Sequence, residues 1–535
     1  MTSDLRTTAR RWFDAEPDDD VRSELGELLS GDATELAARF AGRLHFGTAG
    51  LRAAVGAGPL RMNRLVVRQA AAGLARYLLD TDPLVRQRGV VVGYDARRKS
   101  DVFATDTARV MAAHGIPVRV FDRYVPTPVL AWSITTLGAA AGVMVTASHN
   151  PPADNGYKVY LGDGAQIVPP HDSGISERID GIDPVGVELS APDDPLITGV
   201  GADLVDAYLQ FVPAVRRRSD VDPVPVAYTP LHGVGGDTLL RAFAAAGCAP
   251  PLVVEEQFRP DPTFPTVSFP NPEEPGAMDL VISLARRSGC AVAIANDPDA
   301  DRVGVAIPLA DGSWRRLGGD EIGWLIADHL LASTSGSDRL VVTTLVSSAL
   351  LGKMATAHGV TAVETFTGFK WIARAVLDHP DLRFVFGYEQ ALGYLVADRP
   401  LDKDGITAAV VIAEIAAVAA ARGITLQAWL DDIAGRFGRH RLADASVRMD
   451  PAAAVTRVAE LRDGPPTEIG GRRVRQVTEF PEADLLRFDL EGDIRVQVRP
   501  SGTEPKVKLY GEAVDADPAP YVEAYVEALA VLVRS

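Results

Sequence analysis

Three times along the chain, a short run of small and β-branched apolar residues ends in a polar turn and gives way to a helix pattern. Val90-Val-Val-Gly93 passes through Tyr94-Asp-Ala-Arg-Arg-Lys-Ser100 into a helix expected from Val102 to His114. Val224-Pro-Val-Ala-Tyr228 passes through Thr229-Pro-Leu-His-Gly-Val-Gly-Gly236 into one from Thr238 to Ala246. Leu340-Val-Val-Thr-Thr344 leads into one from Ser347 to His358. No literal repeat accompanies this echo. Strand, turn and helix in that order predict mostly parallel sheets covered on both faces, hence an α/β protein.

The chain has 535 residues, room for about three or four domains. Residues 1–42 read as a charged helical extension, with Leu25, Leu28, Leu29, Leu36 and Phe40 near helical spacing. A first domain is expected over 43–205, with a further strand at Val118–Phe121 and a helix opening at Pro126-Thr-Pro128. A second is expected over 206–318, a third over 319–445, closed by a helix near Ala408 to Arg422, and a fourth over 446–535. The last differs: short strands at Arg473–Val477, Leu485–Leu490 and Ile494–Val498, then a helix, an α+β pattern.

The net charge of −17 argues against a general nucleic-acid or acidic-membrane partner. It leaves room for a phosphorylated substrate held by local Arg and Lys. Two cysteines, Cys248 and Cys290, sit among small or apolar residues and are expected to be reduced thiols of a cytoplasmic protein. Met1-Thr-Ser-Asp-Leu-Arg6 has no apolar signal core, and the Ala408–Ala421 run is too short for a membrane span and contains Glu414.

Four segments carry the chemistry. Thr146-Ala-Ser-His-Asn-Pro-Pro152 follows the apolar strand Ala140–Val145 and sets Ser148 at a strand exit, placed to carry a phosphoryl group. His149 beside it could orient a phosphate, move a proton or cap the loop. Asp297, Asp299 and Asp301 alternate after the strand Ala291–Ala295, so an extended loop can converge them on one cation. Three carboxylates with an oxygen of phosphorylated Ser148 make an oxygen-only site suited to Mg²⁺. An EF-hand beginning at Asp297 would need Gly and Glu where Arg302 and Pro308 stand, and a haloacid-dehalogenase motif would need Thr or Val at Asp301. Phe46-Gly-Thr-Ala-Gly-Leu-Arg52 is a small-residue loop ending in Arg52, a guanidinium fork for phosphate. Arg499-Pro-Ser-Gly-Thr503 offers Arg499, Ser501, Gly502 and Thr503 as a clamp for a second phosphate, with Lys506 and Lys508 adding charge.

Taken together, these segments resemble the α-D-phosphohexomutase superfamily, the phosphoglucomutases and phosphomannomutases, over about residues 43–512. The resemblance implies three similar α/β domains with mixed, mostly parallel sheets plus a C-terminal α+β domain, with the active site in a central cleft. It implies a resting phosphoserine at 148, Lys158 as general acid or base, and Arg302 positioning the phosphoserine or substrate. Glu389, in Gly387-Tyr-Glu-Gln-Ala-Leu-Gly-Tyr394, would recognise sugar hydroxyls, with Thr367, Gly368, Lys370 and Lys403 nearby for substrate. This sequence has Ala391 where the family's sugar loop has serine and Pro298 where glycine is commoner. That variant loop resembles the phosphoglucomutase-2-like and phosphopentomutase branch.

The implied function is a phosphosugar mutase interconverting hexose 1- and 6-phosphates through a bisphosphorylated sugar, with Mg²⁺ and glucose 1,6-bisphosphate as activator. Glucose phosphates are expected first, mannose phosphates second, pentose phosphates third. Phosphopentomutase or glucose 1,6-bisphosphate synthase activity is the alternative. A phosphatase would release inorganic phosphate, and a non-catalytic binder would lack the carrier or the aspartates. No nucleic acid or membrane is expected as partner, and the assembly is expected to be a monomer or homodimer.

Overall fold

The three strand–turn–helix segments form as read: Val90–Tyr94, Val226–Thr229 and Arg339–Thr344 run into helices Ser100–Ala113, Gly236–Ala245 and Leu350–Ala357. The computed structural model describes residues 2–45, 50–501, 505–514 and 522–534. The chain divides into two units, Met1–Leu317 with Leu392–Ala421, and Gly318–Ala391 with Arg422–Ser535.

The first unit holds two sheets. One runs in the order Leu51–Ala54, Asp154–Leu161, Ala141–Val145, Val90–Tyr94, Val118–Phe121, Ile197–Val200. Its last four strands are parallel and its first two antiparallel. No strand is expected at Asp154–Leu161 from the sequence, which marks only Lys158 there. The segment is a strand because its middle is buried between two neighbours. A Cβ at Gly156 would lie 2.5 Å from the Thr146 carbonyl oxygen and 2.8 Å from that of Leu51, so only glycine lets the three strands close up. Gly50, at φ 93°, meets the same strand: a Cβ there would stand 2.0 Å from the Tyr157 oxygen. The second sheet runs Trp314–Arg316, Val303–Pro308, Val292–Asn296, Val226–Thr229, Leu252–Val253. It too is mixed, parallel in its last three strands.

Helix Arg64–Thr81, capped by the Asn63 side chain on Val66 N, packs against Ser100–Ala113 and His171–Asp180. Three N-terminal helices, Thr2–Ala15, Asp19–Ser30 and Ala33–Arg39, bury Trp12, Val21, Leu25 and Leu36 in the same core as Leu65 and Leu74. Helix Gly405–Ala421 reads from sequence as the close of the third domain. It packs within the first unit, against Gly236–Ala245 and Val292–Asn296. It is apolar on all sides and needs burial all round, and its Glu414 is paired with Arg216 at 3.0 Å. Among the described residues no single helix is long and apolar enough to cross a membrane.

In the second unit, Thr361–Thr365, Arg339–Thr344 and Arg383–Glu389 form a parallel array. A separate antiparallel sheet runs His440–Arg448, Lys506–Val514, Ile494–Pro500, Leu485–Leu490, Arg472–Phe480, Glu468–Ile469. Helices Pro451–Asp463 and Val522–Arg534 cover it, the expected α+β pattern.

Candidate active site

Two strand ends within the first unit bring Ser148 and the carboxylates together. Ala141–Val145 delivers Ser148, and Val292–Asn296 delivers Asp297. Ser148 Oγ donates to Asp297 Oδ2 at 2.8 Å and lies 3.1 Å from His149 Nδ1. Ser148 is buried and has φ 52°, a left-handed backbone that a serine adopts at a cost of about 1–2 kcal/mol.

The aspartate loop is held from several sides. Val234 N donates to the Pro298 oxygen at 2.8 Å, and a Cβ at Gly233 would stand 2.4 Å from Pro298 Cα, so the second βα turn lies directly on the loop. Thr127 donates to Asp299 Oδ2 through its hydroxyl at 2.5 Å and to the Asp299 oxygen through its N–H at 2.9 Å. Arg302 N donates to Asp297 Oδ1 at 3.0 Å.

Lys158, at the register position facing Met144, donates to Asp299 Oδ2 at 2.7 Å and Asp301 Oδ2 at 2.8 Å. Lys403 lies 3.2 Å from Asp301 Oδ2 and 3.1 Å from Asp402 Oδ1. The structure thus sets Lys403 among the aspartates of the first unit. Asp402 in turn accepts from Tyr160 at 2.7 Å and Gln166 at 2.8 Å.

Burial penalises ionisation at all three aspartates, and the balance differs at each. At Asp297, burial and the charges of Asp299 and Asp301 push the pKa well up. At Asp299, Lys158 and the Thr127 hydroxyl outweigh burial and hold it down. At Asp301, Lys158, Lys403 and Arg302 do the same. Burial lowers the Lys158 ammonium, but Asp299 and Asp301 more than offset it and hold its pKa up, opposite to what a free base needs. Burial, then the cations Arg302 and Arg52, keep His149 neutral.

One carboxylate oxygen from each of Asp297, Asp299 and Asp301 comes within 4.8 Å of the others. Asp299 Oδ1 and Asp301 Oδ1 are buried without a hydrogen-bond partner among the described residues. Two stranded anionic oxygens in an all-oxygen donor set fit a hard divalent cation such as Mg²⁺.

Arg52, on Leu51–Ala54, donates to Asn150 Oδ1 at 3.0 Å, which joins it to the Ser148 loop. Phe46, Gly47, Thr48 and Ala49 of its motif, and Gly502 and Thr503 of the expected phosphate clamp, lie outside the described residues. In the second unit, Arg499 is the next-to-last residue of the strand Ile494–Pro500, and Ser501 N donates to the Lys506 oxygen at 2.9 Å. Arg499 Nε is buried without a hydrogen-bond partner among the described residues. Gly368, at φ 111°, precedes helix Phe369–Leu377, with Thr367 before it and Lys370, buried, in its first turn. Glu389 ends the strand Arg383–Glu389 and is buried.

Asp95, Arg97 and Thr127 join the site although no sequence motif marks them, and Asp402 stands beside the expected Lys403. Arg97 had one usable signal, its place in the turn at the carboxyl end of a parallel strand, where ligand sites gather.

Four sequence models of the phosphoglucomutase/phosphomannomutase family match: α/β/α domain I over 43–185, domain II over 205–310, domain III over 318–437 and the C-terminal domain over 445–528. A Haemophilus influenzae protein named as a probable phosphomannomutase is 41% identical over 466 residues, covering 85% of this chain and 94% of its own. The Mus musculus phosphopentomutase is 35% identical, covering 91% of this chain and 86% of its own. The crystal structure of a phosphoglucomutase/phosphomannomutase family protein from Burkholderia thailandensis superposes with a TM-score of 0.71 at 21% identity, covering 91% of this chain and 96% of that one.

Proposed function

This chain belongs to the phosphoglucomutase/phosphomannomutase family of the α-D-phosphohexomutase superfamily and is a phosphomutase, and we propose that it transfers a phosphoryl group between sugar positions through Ser148. The observation that carries this reading is the contact of Ser148 Oγ with Asp297 beside two carboxylate oxygens that have no hydrogen-bond partner among the described residues.

In the proposed cycle a free hydroxyl of a sugar monophosphate attacks the phosphorus of phosphorylated Ser148. The new O–P bond forms as the Ser148 Oγ–P bond breaks, and the proton that the sugar hydroxyl gives up passes to neutral His149 and on to Ser148 Oγ, which leaves as a hydroxyl. The sugar is then a bisphosphate, and its other phosphate returns to Ser148 Oγ by the reverse step. Asp297, Asp299 and Asp301 would hold Mg²⁺, which supplies positive charge against the transferring phosphoryl oxygens. Lys158 is held as an ammonium by Asp299 and Asp301, so in this state it serves as charge or acid rather than base. His149, neutral and beside Oγ, orients the hydroxyl. Arg52 ties down the Ser148 loop and offers charge to phosphate. By the family resemblance, Arg499 and Ser501 are assigned to a phosphate that is not reacting, and Glu389 to sugar hydroxyls.

Glucose 1- and 6-phosphate are the first-choice pair, then mannose phosphates. A second reading, pentose phosphates, draws support from Ala391 in the sugar loop and from the phosphopentomutase name of a relative matching along most of the chain.

The test is ³¹P NMR with Mg²⁺ and a trace of glucose 1,6-bisphosphate, with glucose, mannose and ribose 1-phosphates in separate tubes. Conversion to the terminal ester, lost in Ser148→Ala, is expected, and the fastest tube names the sugar. Inorganic phosphate alone, or an active alanine variant, would overturn the reading.

A further inference from the structure

The two peptide groups flanking Ser148 are both gripped by the same short segment, Asp95 to Arg97. On the amino side, Ser148 N donates to Thr146 Oγ1 at 2.8 Å, and Thr146 Oγ1 donates to Asp95 Oδ2 at 2.6 Å. On the carboxyl side, Arg97 Nη2 donates to the Ser148 oxygen at 2.6 Å and the Asn150 oxygen at 2.5 Å. Arg97 Nη1 reaches the Pro151 oxygen at 2.8 Å and the Asp154 oxygen at 3.1 Å. One guanidinium therefore gathers four carbonyls across the loop from 148 to 154.

The segment is itself fixed. Asp95 Oδ1 accepts from Arg97 N at 3.0 Å and from Ser100 Oγ at 2.7 Å, and Ser100 Oγ accepts from Asn155 Nδ2 at 3.0 Å. The Arg97 guanidinium lies 5.0 Å from the centre of the Phe264 ring. The side chains of Asp95 and Arg97 are each 1% exposed, so these charge-assisted bonds are not diluted by water.

A strained serine needs such a grip. At φ 52° Ser148 would relax to a commoner backbone if its two peptide planes were free, and Oγ would swing with them. We propose that Arg97, with Asp95 and Thr146, is a positioning device that holds Ser148 in the left-handed conformation from which its Oγ receives and gives phosphoryl. Arg97 touches no reacting atom; it acts through the loop. The inference rests on Ser148 being the carrier.

The test measures, in the full-length protein, the rate of Ser148 phosphorylation by glucose 1,6-bisphosphate (quenched mixing, intact mass) and KM for glucose 1-phosphate. Arg97→Lys, which cannot span four carbonyls, is expected to slow phosphorylation about 100-fold, the scale of a 1 Å misplacement, with KM within about 3-fold. Thr146→Val removes the hydroxyl relay at constant shape and is expected to slow it about 10-fold, one lost link of the two. Thr146→Ser keeps the hydroxyl and is expected to restore the wild-type rate. A packing role would reverse that order, favouring Val over Ser. If Arg97→Lys does not fold, the Thr146 pair decides. Wild-type rates in Thr146→Val, or Ser no better than Val, overturn the inference while leaving the carrier intact. A wild-type protein that never gains phosphoryl at Ser148 overturns the carrier, and the inference with it.

Discussion

Lys158 Nζ sits 2.8 Å from Asp301 Oδ2, and the same ammonium bonds Asp299, so a lysine neutralises the carboxylates that would hold the metal. Removing it strips the buried Asp299 and Asp301 of the ammonium they share, with Lys403 still 3.2 Å from Asp301 Oδ2. Lys158→Met is expected to destabilise the metal-free protein by about 3–5 kcal/mol, the range for a broken buried pair. Added Mg²⁺ then has more to offset, so thermal unfolding with Mg²⁺ and with chelator should differ more in the variant than in the wild type. Equal shifts in both proteins would refute the coupling.

Glu512 gives one signed pH dependence. Its side chain accepts from Ser348 Oγ at 2.5 Å, and lies 2.7 Å from Arg495 Nε and 2.7 Å from His440 Nδ1. Burial raises its pKa, but His440, Arg495 and Ser348 outweigh that and bring it from 4.5 down to about 2. A depressed carboxylate contributes its stability above the unfolded pKa and loses it as pH falls toward 2. At about 1.4 kcal/mol per unit, the contribution near neutrality is about 3 kcal/mol. Denaturation of Glu512→Gln against wild type should show that gap at pH 7 and its shrinkage toward pH 3. A gap independent of pH would contradict the assignment.

Glu16 gives the opposite slope. Burial pushes its carboxyl from 4.5 up to about 7, against the Asp18 N–H that bonds it. The folded state then keeps a proton that the unfolded state releases, so this group's stability is full below 4.5 and drains away as pH rises to 7. Glu16→Gln carries no such slope and should gain on the wild type by up to about 3 kcal/mol between acid and pH 8. Parallel stability profiles in the two proteins would sink this expectation.

Gly156→Ala tests the close approach of three strands. The new methyl would meet the backbone oxygens of Thr146 and Leu51, neither of which is a flexible side-chain end. Overpacking of this kind costs about 1–3 kcal/mol. Because Thr146 follows one of the strands it would part and Lys158 lies on another, kcat should fall further than stability alone explains. A variant with wild-type Tm and rate would show that the strands can give.

The Ser148 loop and the aspartates were legible because each motif is contiguous: strand, then chemistry, within a few residues. Lys158 was legible as a residue but not as a strand residue, since Asn155-Gly156 reads as a turn. Burial overrides it, with the Asn155 amide spent on Ser100 and the Arg98 oxygen. Lys403 and helix Gly405–Ala421 were read with the residues before them in sequence, whereas their partners, Asp301 and Arg216, lie far upstream. The same distance hid Arg97: its partners begin 51 residues downstream, and no spacing rule links an arginine to carbonyls of another loop. Glu512 and His440 escaped notice for that reason too, 72 residues apart in the chain.

The N-terminal helices bear on how this enzyme can be shortened. The family's first domain begins at residue 43, a natural place to cut a gene. A protein starting there would lose Trp12, Val21, Leu25 and Leu36 from a core they share with the first α/β layer, leaving an oily face for chaperones and aggregates. It would also lose Asp18 and Asp20, which hold Lys99 at 2.9 and 2.7 Å, two residues beyond Arg97. What looks in alignment like a dispensable leader is, for expression and for engineering, the wall against which the serine's support is braced.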